Sequence, residues 1–217
     1  MSIKVERFIN SRFSSNTFVL SYEGANDVWV IDPGDIRPVS EWMVKNSKVV
    51  IKGVLLTHSH FDHVYGLNDL LFLYPSCPIY VANEYGRTAL FDAKKNGSRF
   101  TEAPFVLKEG AEVRIMDSSL ELWVGINVEI IYTIGHTPDS ACFVLGNLIF
   151  TGDTLIKGKR TVTKLHGGSV PDLKRTIAMI KSRFQGKGLI VMGGHEDSFE
   201  LDVYDLSIAT FNPLSDS

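Results

Sequence analysis

The chain has 217 residues, of which 44% are hydrophobic and 22% charged, with a formal net charge of −3. That length suits one α/β domain with a substantial core, and the balance excludes disordered and fibrous architectures. The 22 basic residues are scattered without a long run, so neither nucleic acid nor an anionic membrane is an expected partner.

Met1 to Arg7 has charges spread through it and no apolar stretch behind it, which is unlike a secretory signal. No segment approaches the roughly 20 apolar residues that span a bilayer, and the expectation is a cytoplasmic protein. Cys77 and Cys142 lie far apart and outside any Cys-x-x-Cys arrangement. Both read as small buried hydrophobes, not as parts of a disulfide framework or a zinc knuckle.

The N-terminal region predicts three strands, Lys4 to Ile9, Thr17 to Tyr22 and Val28 to Ile31, with turn residues at Asn10 to Asn16 and Glu23 to Asp27. Asp32-Pro33-Gly34-Asp35 stops the third strand and leads into a helical pattern from Val39 to Lys45. Val49 to Leu56 reads as a central strand, apolar on both faces. Val64, Leu67, Leu70, Leu71 and Tyr74 then recur at helical spacing up to Pro75. Ile79 to Ala82 reads as a short strand, Glu84 to Phe91 as a helix, and Asp92 to Pro104 as a long surface loop. Further strands are expected at Phe105 to Leu107, Glu112 to Met116, Leu120 to Trp123 and Val128 to Ile134. Ala141 to Leu145 and Leu148 to Thr151 should pair across Gly146-Asn147. Lys157 to Val170 is aperiodic, Pro171 opens a helix to about Phe184, Leu189 to Met192 is a strand, and Phe199 to Phe211 a last helix stopped by Asn212-Pro213. Elements alternate without a linker or repeat, so one domain over residues 1–217 is expected, with mixed sheets covered by helices.

Thr57-His58-Ser59-His60-Phe61-Asp62-His63 places three imidazoles and a carboxylate directly after an expected strand. His136 follows the strand ending at Ile134, His195 follows the one ending at Met192, and Leu148 to Thr151 runs into Gly152-Asp153. Ligands at strand ends converge when the strands open into a common crevice. Burying these groups together without metal would leave several polar atoms unpaired, each at a cost of about 1–3 kcal/mol. Five imidazoles and two carboxylates suit zinc, with iron or manganese also accommodated.

Asp32-Pro33-Gly34, Thr57 to His63, Gly135-His136-Thr137-Pro138-Asp139-Ser140, Thr151-Gly152-Asp153-Thr154-Leu155 and Gly193-Gly194-His195-Glu196 resemble, in order, the motifs of the metallo-β-lactamase superfamily. The resemblance implies a four-layer αββα sandwich of two mixed sheets with a dinuclear metal site at one edge. Carried over by position, His58, His60 and His136 would hold one metal ion, Asp62, His63 and His195 the second, and Asp153 would bridge them. Asp62 would also orient a nucleophilic hydroxide, and Asp32 would be a supporting acid or a turn carboxylate capping local backbone. Two divalent ions, Zn²⁺ first, are the implied cofactor, and a small molecule the implied substrate.

Within the family the motifs around His136, Asp153 and His195 look most like glyoxalase II, which hydrolyses hydroxyacylglutathione thioesters. That enzyme continues into a helical domain that helps bind glutathione, whereas 22 residues follow His195 here, so the resemblance is to a branch without that domain. Gly158-Lys159-Arg160-Thr161-Val162-Thr163 replaces the usual Gly-Arg-Thr-Asp, which leaves glutathione in question. The reading is a hydrolase of a thioester or related acyl ester. The alternatives are a mononuclear-iron persulfide dioxygenase, a lactonase or other hydrolase of the same fold, and a metal-binding member without catalysis. His166, Lys159 and Arg160 in the aperiodic stretch are candidate substrate contacts.

Overall fold

The computed structural model describes residues 2–48 and 50–210. Two six-stranded sheets face each other. The first is formed in order by β1 (Ile3–Ile9), β2 (Asn16–Tyr22), β3 (Asp27–Ile31), β4 (Val50–Leu55), β5 (Ile79–Val81) and β6 (Val113–Ile115). The second runs from β7 (Ser119–Trp123) through β8 (Ile126–Tyr132), β9 (Ala141–Leu145), β10 (Leu148–Gly152) and β11 (Ile190–Gly193) to β12 (Phe199–Glu200). β3 to β6 pair in parallel, as do β10 and β11, and the other neighbours are antiparallel.

The two-residue period of a strand sends successive side chains to opposite faces, and β2 uses both. Phe18 and Leu20 enter the core between the sheets with Trp29, Leu55, Phe143 and Phe150, while Val19 faces an outer core. That outer layer is covered by α1 (Ile36–Lys45) and α3 (Leu67–Leu73), which contribute Val39, Met43, Leu67 and Leu70. On the other side α5 (Val170–Phe184) buries Leu173, Ile177, Ile180 and Phe184 against Ile131, Ile149 and Val191. Ser169 caps α5 by accepting from the Asp172 N–H, and its proline stands in the first turn, where its missing N–H costs nothing. The result is the expected αββα order. The indole of Trp29 donates across the sandwich to the Leu122 carbonyl at 3.0 Å and lies over Gly53, where a Cβ would meet the ring at 2.4 Å.

Several elements differ from expectation. The helix expected through Val64 to Tyr74 is divided into α2 (Phe61–Val64) and α3. The break is at Gly66, whose N–H donates to the Pro33 carbonyl and where a Cβ would lie 1.8 Å from the Gly34 carbonyl oxygen. The turn after β3 thus presses into the chain. α4 covers Glu84–Ala89. Phe105 to Leu107 forms no strand; Phe105 and Leu107 are instead buried in the outer core with Leu90, and the Leu107 N–H donates to the Leu90 carbonyl. Asp92 to Pro104 is the expected surface loop, with one 3₁₀ turn at Ser98–Phe100. It folds around the buried side chain of Asn96, which donates to the Ala89 and Phe105 carbonyls and accepts from the Ser98 N–H.

The last expected helix is also absent over the described residues. Phe199 and Glu200 pair with β11, and 3₁₀ turns follow at Leu201–Val203 and Leu206–Ala209. Leu201, Leu206 and Ala209 bury against α5, and the Tyr204 hydroxyl donates to the Ile156 carbonyl. These tertiary anchors override the helical spacing. Phe211 and Asn212-Pro213, like the expected strand start at Val49, lie outside the described residues. Cys77 and Cys142 are buried and unpaired. No helix among the described residues is long and apolar enough to cross a membrane.

Candidate metal centre and its cavity

β8 and β10 both run antiparallel to β9, and β11 runs parallel to β10. Their carboxyl ends therefore share one edge of the second sheet, and the parallel pair β3 and β4 supplies the facing edge. His136, Asp153 and His195 follow the first three strands, and Asp32 and the segment from Thr57 to His63 follow the other two. The edge assembles every histidine and aspartate that the sequence singled out as a ligand candidate.

His60 Nδ1 lies 2.8 Å from His136 Nε2, which lies 3.2 Å from His58 Nε2. Donors each held about 2.0–2.1 Å from a tetrahedral ion stand roughly 3.3 Å apart, so this trio has the spacing of a metal-binding face. A second trio is formed by Asp62, His63 and His195. Asp62 Oδ2 is 3.2 Å from His195 Nε2 and 3.5 Å from His63 Nε2. Asp153 stands between the trios. Its Oδ2 is 3.6 Å from His136 Nε2, and its Oδ1 is 3.3 Å from His63 Nε2 and 3.5 Å from His195 Nε2.

The rings are held from behind. His136 Nδ1 bonds the Val162 carbonyl at 2.7 Å, which fixes the proton there and leaves Nε2 bare. His63 Nδ1 bonds Asp32 Oδ2 at 3.1 Å. Asp32 also accepts from the Thr57 N–H at 2.8 Å and the Thr57 hydroxyl at 2.6 Å, so it touches both a candidate ligand ring and the backbone of the turn. Asp32, His58 and His63 form a further close group, but Asp32 is committed to three donors on the far side of the His63 ring.

The donor set fits divalent metal on a direct test. His63 Nε2 and Asp153 Oδ1 are buried and have no hydrogen-bond partner, although they face each other. Leaving such groups unsatisfied is costly, and a shared cation satisfies both. The electrostatics agree. Burial, reinforced by neighbouring histidines, holds His58 well below the ordinary histidine value and His60 down to about 3, so both are neutral at pH 7. Burial opposes the charge on His63 and His195 as well, but Asp62 and Asp153 outweigh it, raising His63 well above the usual range and His195 to about 9. Asp153 is held well below its ordinary value: burial would raise it, and His63 and His195 overcome that.

Glycines let the strand ends close on this centre. Gly152 has φ +48°, and a Cβ there would sit 2.3 Å from Thr57 Oγ1. At Gly194 a Cβ would lie 2.4 Å from Asp153 Oδ1 and 2.7 Å from His63 Cε1.

A cavity of about 1030 Å³ opens over the centre, with His60, Asp62, His136, Asp153 and His195 at its floor. His166, Lys159 and Arg160 all stand on its wall. His166 Nδ1 bonds the Tyr85 hydroxyl at 2.9 Å, and Lys159 pairs with Glu196 at 3.2 Å. Ser140 engages Thr137, and the Cys142 thiol is buried with its pKa pushed up to about 12. Neither reaches the cavity wall.

The turn residues Asn10 to Asn16 are more than a connection. Ser15 donates to the Asp62 carbonyl at 2.6 Å, and the Asn16 amide donates to the Gly193 and Glu196 carbonyls. This buttress locks the His63 and His195 segments together. Its only trace in the sequence is the density of polar side chains from Asn10 to Thr17.

A two-sheet sandwich with histidine and aspartate clusters suited to divalent metal at one sheet edge defines a class of metal-site proteins. Residues 11–195 match the family described as the metallo-beta-lactamase superfamily, and the chain belongs to it. It is 31% identical over 147 residues to a hydroxyacylglutathione hydrolase of Pseudoalteromonas translucida, an overlap of 67% of this chain and 49% of that protein. The chain spans about half the length of the hydroxyacylglutathione hydrolases it matches. An uncharacterized protein of Mycobacterium leprae is 29% identical over 192 residues, 84% of this chain and 87% of that one. Among solved structures, the BLEG-1 B3 metallo-beta-lactamase superposes with a TM-score of 0.78 at 24% identity, covering 91% of this chain and 94% of its own. TTHA1623 in a di-iron-bound form gives 0.75 at 21%, covering 96% and 99%. At these identities the structural likeness shows the fold alone.

Proposed function

We propose that this protein is a metal-dependent hydrolase that cleaves a thioester or related acyl ester at a dinuclear site. The observation that carries the reading is the placement of Asp153, whose two oxygens face two separate trios of donors. His58, His60 and His136 would hold one ion and Asp62, His63 and His195 the other. A pair of divalent ions held there would supply Lewis acidity, enough to lower the pKa of a bound water towards about 7 and to polarise a carbonyl oxygen.

The chain's own residues do the rest. Asp62 turns Oδ2 to His63 and His195, which leaves its other oxygen to hold the proton of the attacking water. Val162 and Asp32 keep His136 and His63 in the tautomers that present Nε2 to the centre. In the reaction water adds to the acyl carbon, the C–S bond breaks, the thiol departs with a proton and the carboxylic acid remains. A thiol with pKa of about 8.5 leaves readily at neutral pH, so no dedicated acid is required. The hydroxyacylglutathione hydrolases among the relatives support the thioester class.

Elemental analysis after metal-replete expression, followed by turnover of thioesters, lactones, phosphodiesters and β-lactams, tests this. Close to two metal ions per chain with thioester or acyl ester hydrolysis is expected. One iron per chain with oxygen uptake on a persulfide would overturn it.

A further inference from the structure

The cavity wall carries a charge that the chain as a whole does not. Seven of its lining residues are lysine or arginine, while the lining acids outside the donor trios and Asp153 are Glu196 and Asp197. Those two are committed, Glu196 to Lys159 and Asp197 to Arg7 at 2.8 Å. Lys94, Arg99, Arg160 and Lys164 remain without a carboxylate partner among the described residues, while Lys95 donates to Thr88 Oγ1 at 3.0 Å and helps hold the Asp92 carboxyl low. They come from two separate segments, 92–104 and 157–170, that meet over one metal centre. A solvated charged face gives no reason for such convergence in a chain of net charge −3.

The same wall exposes apolar side chains. Ile9, Phe13, Phe100, Val162 and Leu165 all line it, with Phe100 81% and Phe13 68% exposed. Phe13 is braced edge-on against the Phe61 ring, with centroids 6.5 Å apart, and Phe61 adjoins Asp62. Exposed apolar side chains gathered in one cavity with charged neighbours mark a binding site more often than idle surface.

We propose that the cavity binds an acyl thioester whose thiol carrier bears several phosphate-type negative charges and no ammonium group, and whose acyl group is an apolar chain. This rests on the thioester reading above and narrows it. The four unpaired cations take the carrier, and the apolar wall takes the chain. A zwitterionic peptide thiol such as glutathione matches the wall poorly, because its ammonium enters a positive field.

The test uses metal-loaded full-length protein and matched acetyl and octanoyl thioesters of coenzyme A, glutathione and N-acetylcysteamine. At low salt kcat/KM should be about tenfold or more higher for the coenzyme A thioester than for either other carrier, and the advantage should shrink with added salt. Octanoyl should exceed acetyl by about tenfold or more. Arg99→Glu combined with Lys164→Glu should remove the carrier preference. Direct titration with desulfo-coenzyme A, which needs no turnover, should show binding that the double variant weakens at least about tenfold. Thioester hydrolysis without carrier discrimination overturns the carrier assignment and leaves the hydrolase reading standing. Desulfo-coenzyme A binding without hydrolysis of any thioester does the reverse. Faster turnover of acetyl than octanoyl overturns the apolar chain.

Discussion

His136 points Nδ1 at the Val162 carbonyl across 2.7 Å, and so ties a ring on the cavity floor to the segment that forms its mouth. Val162 lies between Arg160 and Lys164 on the same wall. The orientation of one candidate ligand therefore depends on the stretch that meets the substrate. An equivalent link joins Asp32 to His63, and both can be tested through metal affinity.

Asp32→Asn should lower affinity for divalent metal by about 10–100-fold, the usual effect of removing a partner that orients a ligating histidine. Competition with a chromophoric chelator measures it. Wild-type affinity in this variant would reduce Asp32 to a turn carboxylate holding Thr57.

Metal uptake should release protons. His63, raised well above the ordinary value, and His195, raised to about 9, carry protons at pH 7 in metal-free protein, whereas His58 and His60 do not. Affinity should therefore rise as pH rises from 7 through about 9, and calorimetry in buffers of different ionisation enthalpy should report proton release. No dependence on the buffer would contradict the assignment.

The stability of metal-free protein follows from the same shifts, with opposite signs. The raised pKa of His195 contributes stability that is full below about 6.5 and lost as pH rises towards about 9. The lowered pKa of His60 imposes a cost that appears as pH falls below about 6.5 and grows until about 3. Urea midpoints should accordingly decline on both sides of a near-neutral maximum.

Gly194→Ala should abolish metal binding at the second trio while the sandwich persists, because the added methyl would meet Asp153 Oδ1 and His63 Cε1. Far-UV circular dichroism and metal stoichiometry separate the two effects. Two ions bound with normal affinity would show that the strand end relaxes.

Asn96→Ala removes the side chain that donates to the Ala89 and Phe105 carbonyls in a fully buried position. A loss of about 1–3 kcal/mol in urea unfolding is expected. Because Lys94 and Arg99 flank it on the cavity wall, KM should rise more than kcat falls.

Much of the fold was legible in the chain. Alternating and continuous apolar runs marked eleven of the strands among the described residues, since strand burial depends on local side-chain pattern. The failures share a cause. The helix expected through Val64 to Tyr74 was divided by a close approach at Gly66, and Phe199 to Ala209 exchanged a helical spacing for pairing with β11 and anchors under α5. In both places contacts distant in sequence outweighed a local preference.

The sequence by itself determined the donor chemistry, because histidines and aspartates placed directly after strands can be read as motifs without knowing where the strands lie. It also singled out His166, Lys159 and Arg160 of the aperiodic stretch, which line the cavity. The family resemblance implied how those donors divide around Asp153; only the tertiary structure gave their separations, which backbone carbonyl and carboxylate set the histidine tautomers, and that the basic residues of segments 92–104 and 157–170 face one cavity. Ligand identity is a property of single residues and their immediate neighbours. Ligand geometry and the field over the site arise from pairs brought together by sheet packing, and no spacing along the chain encodes that distance.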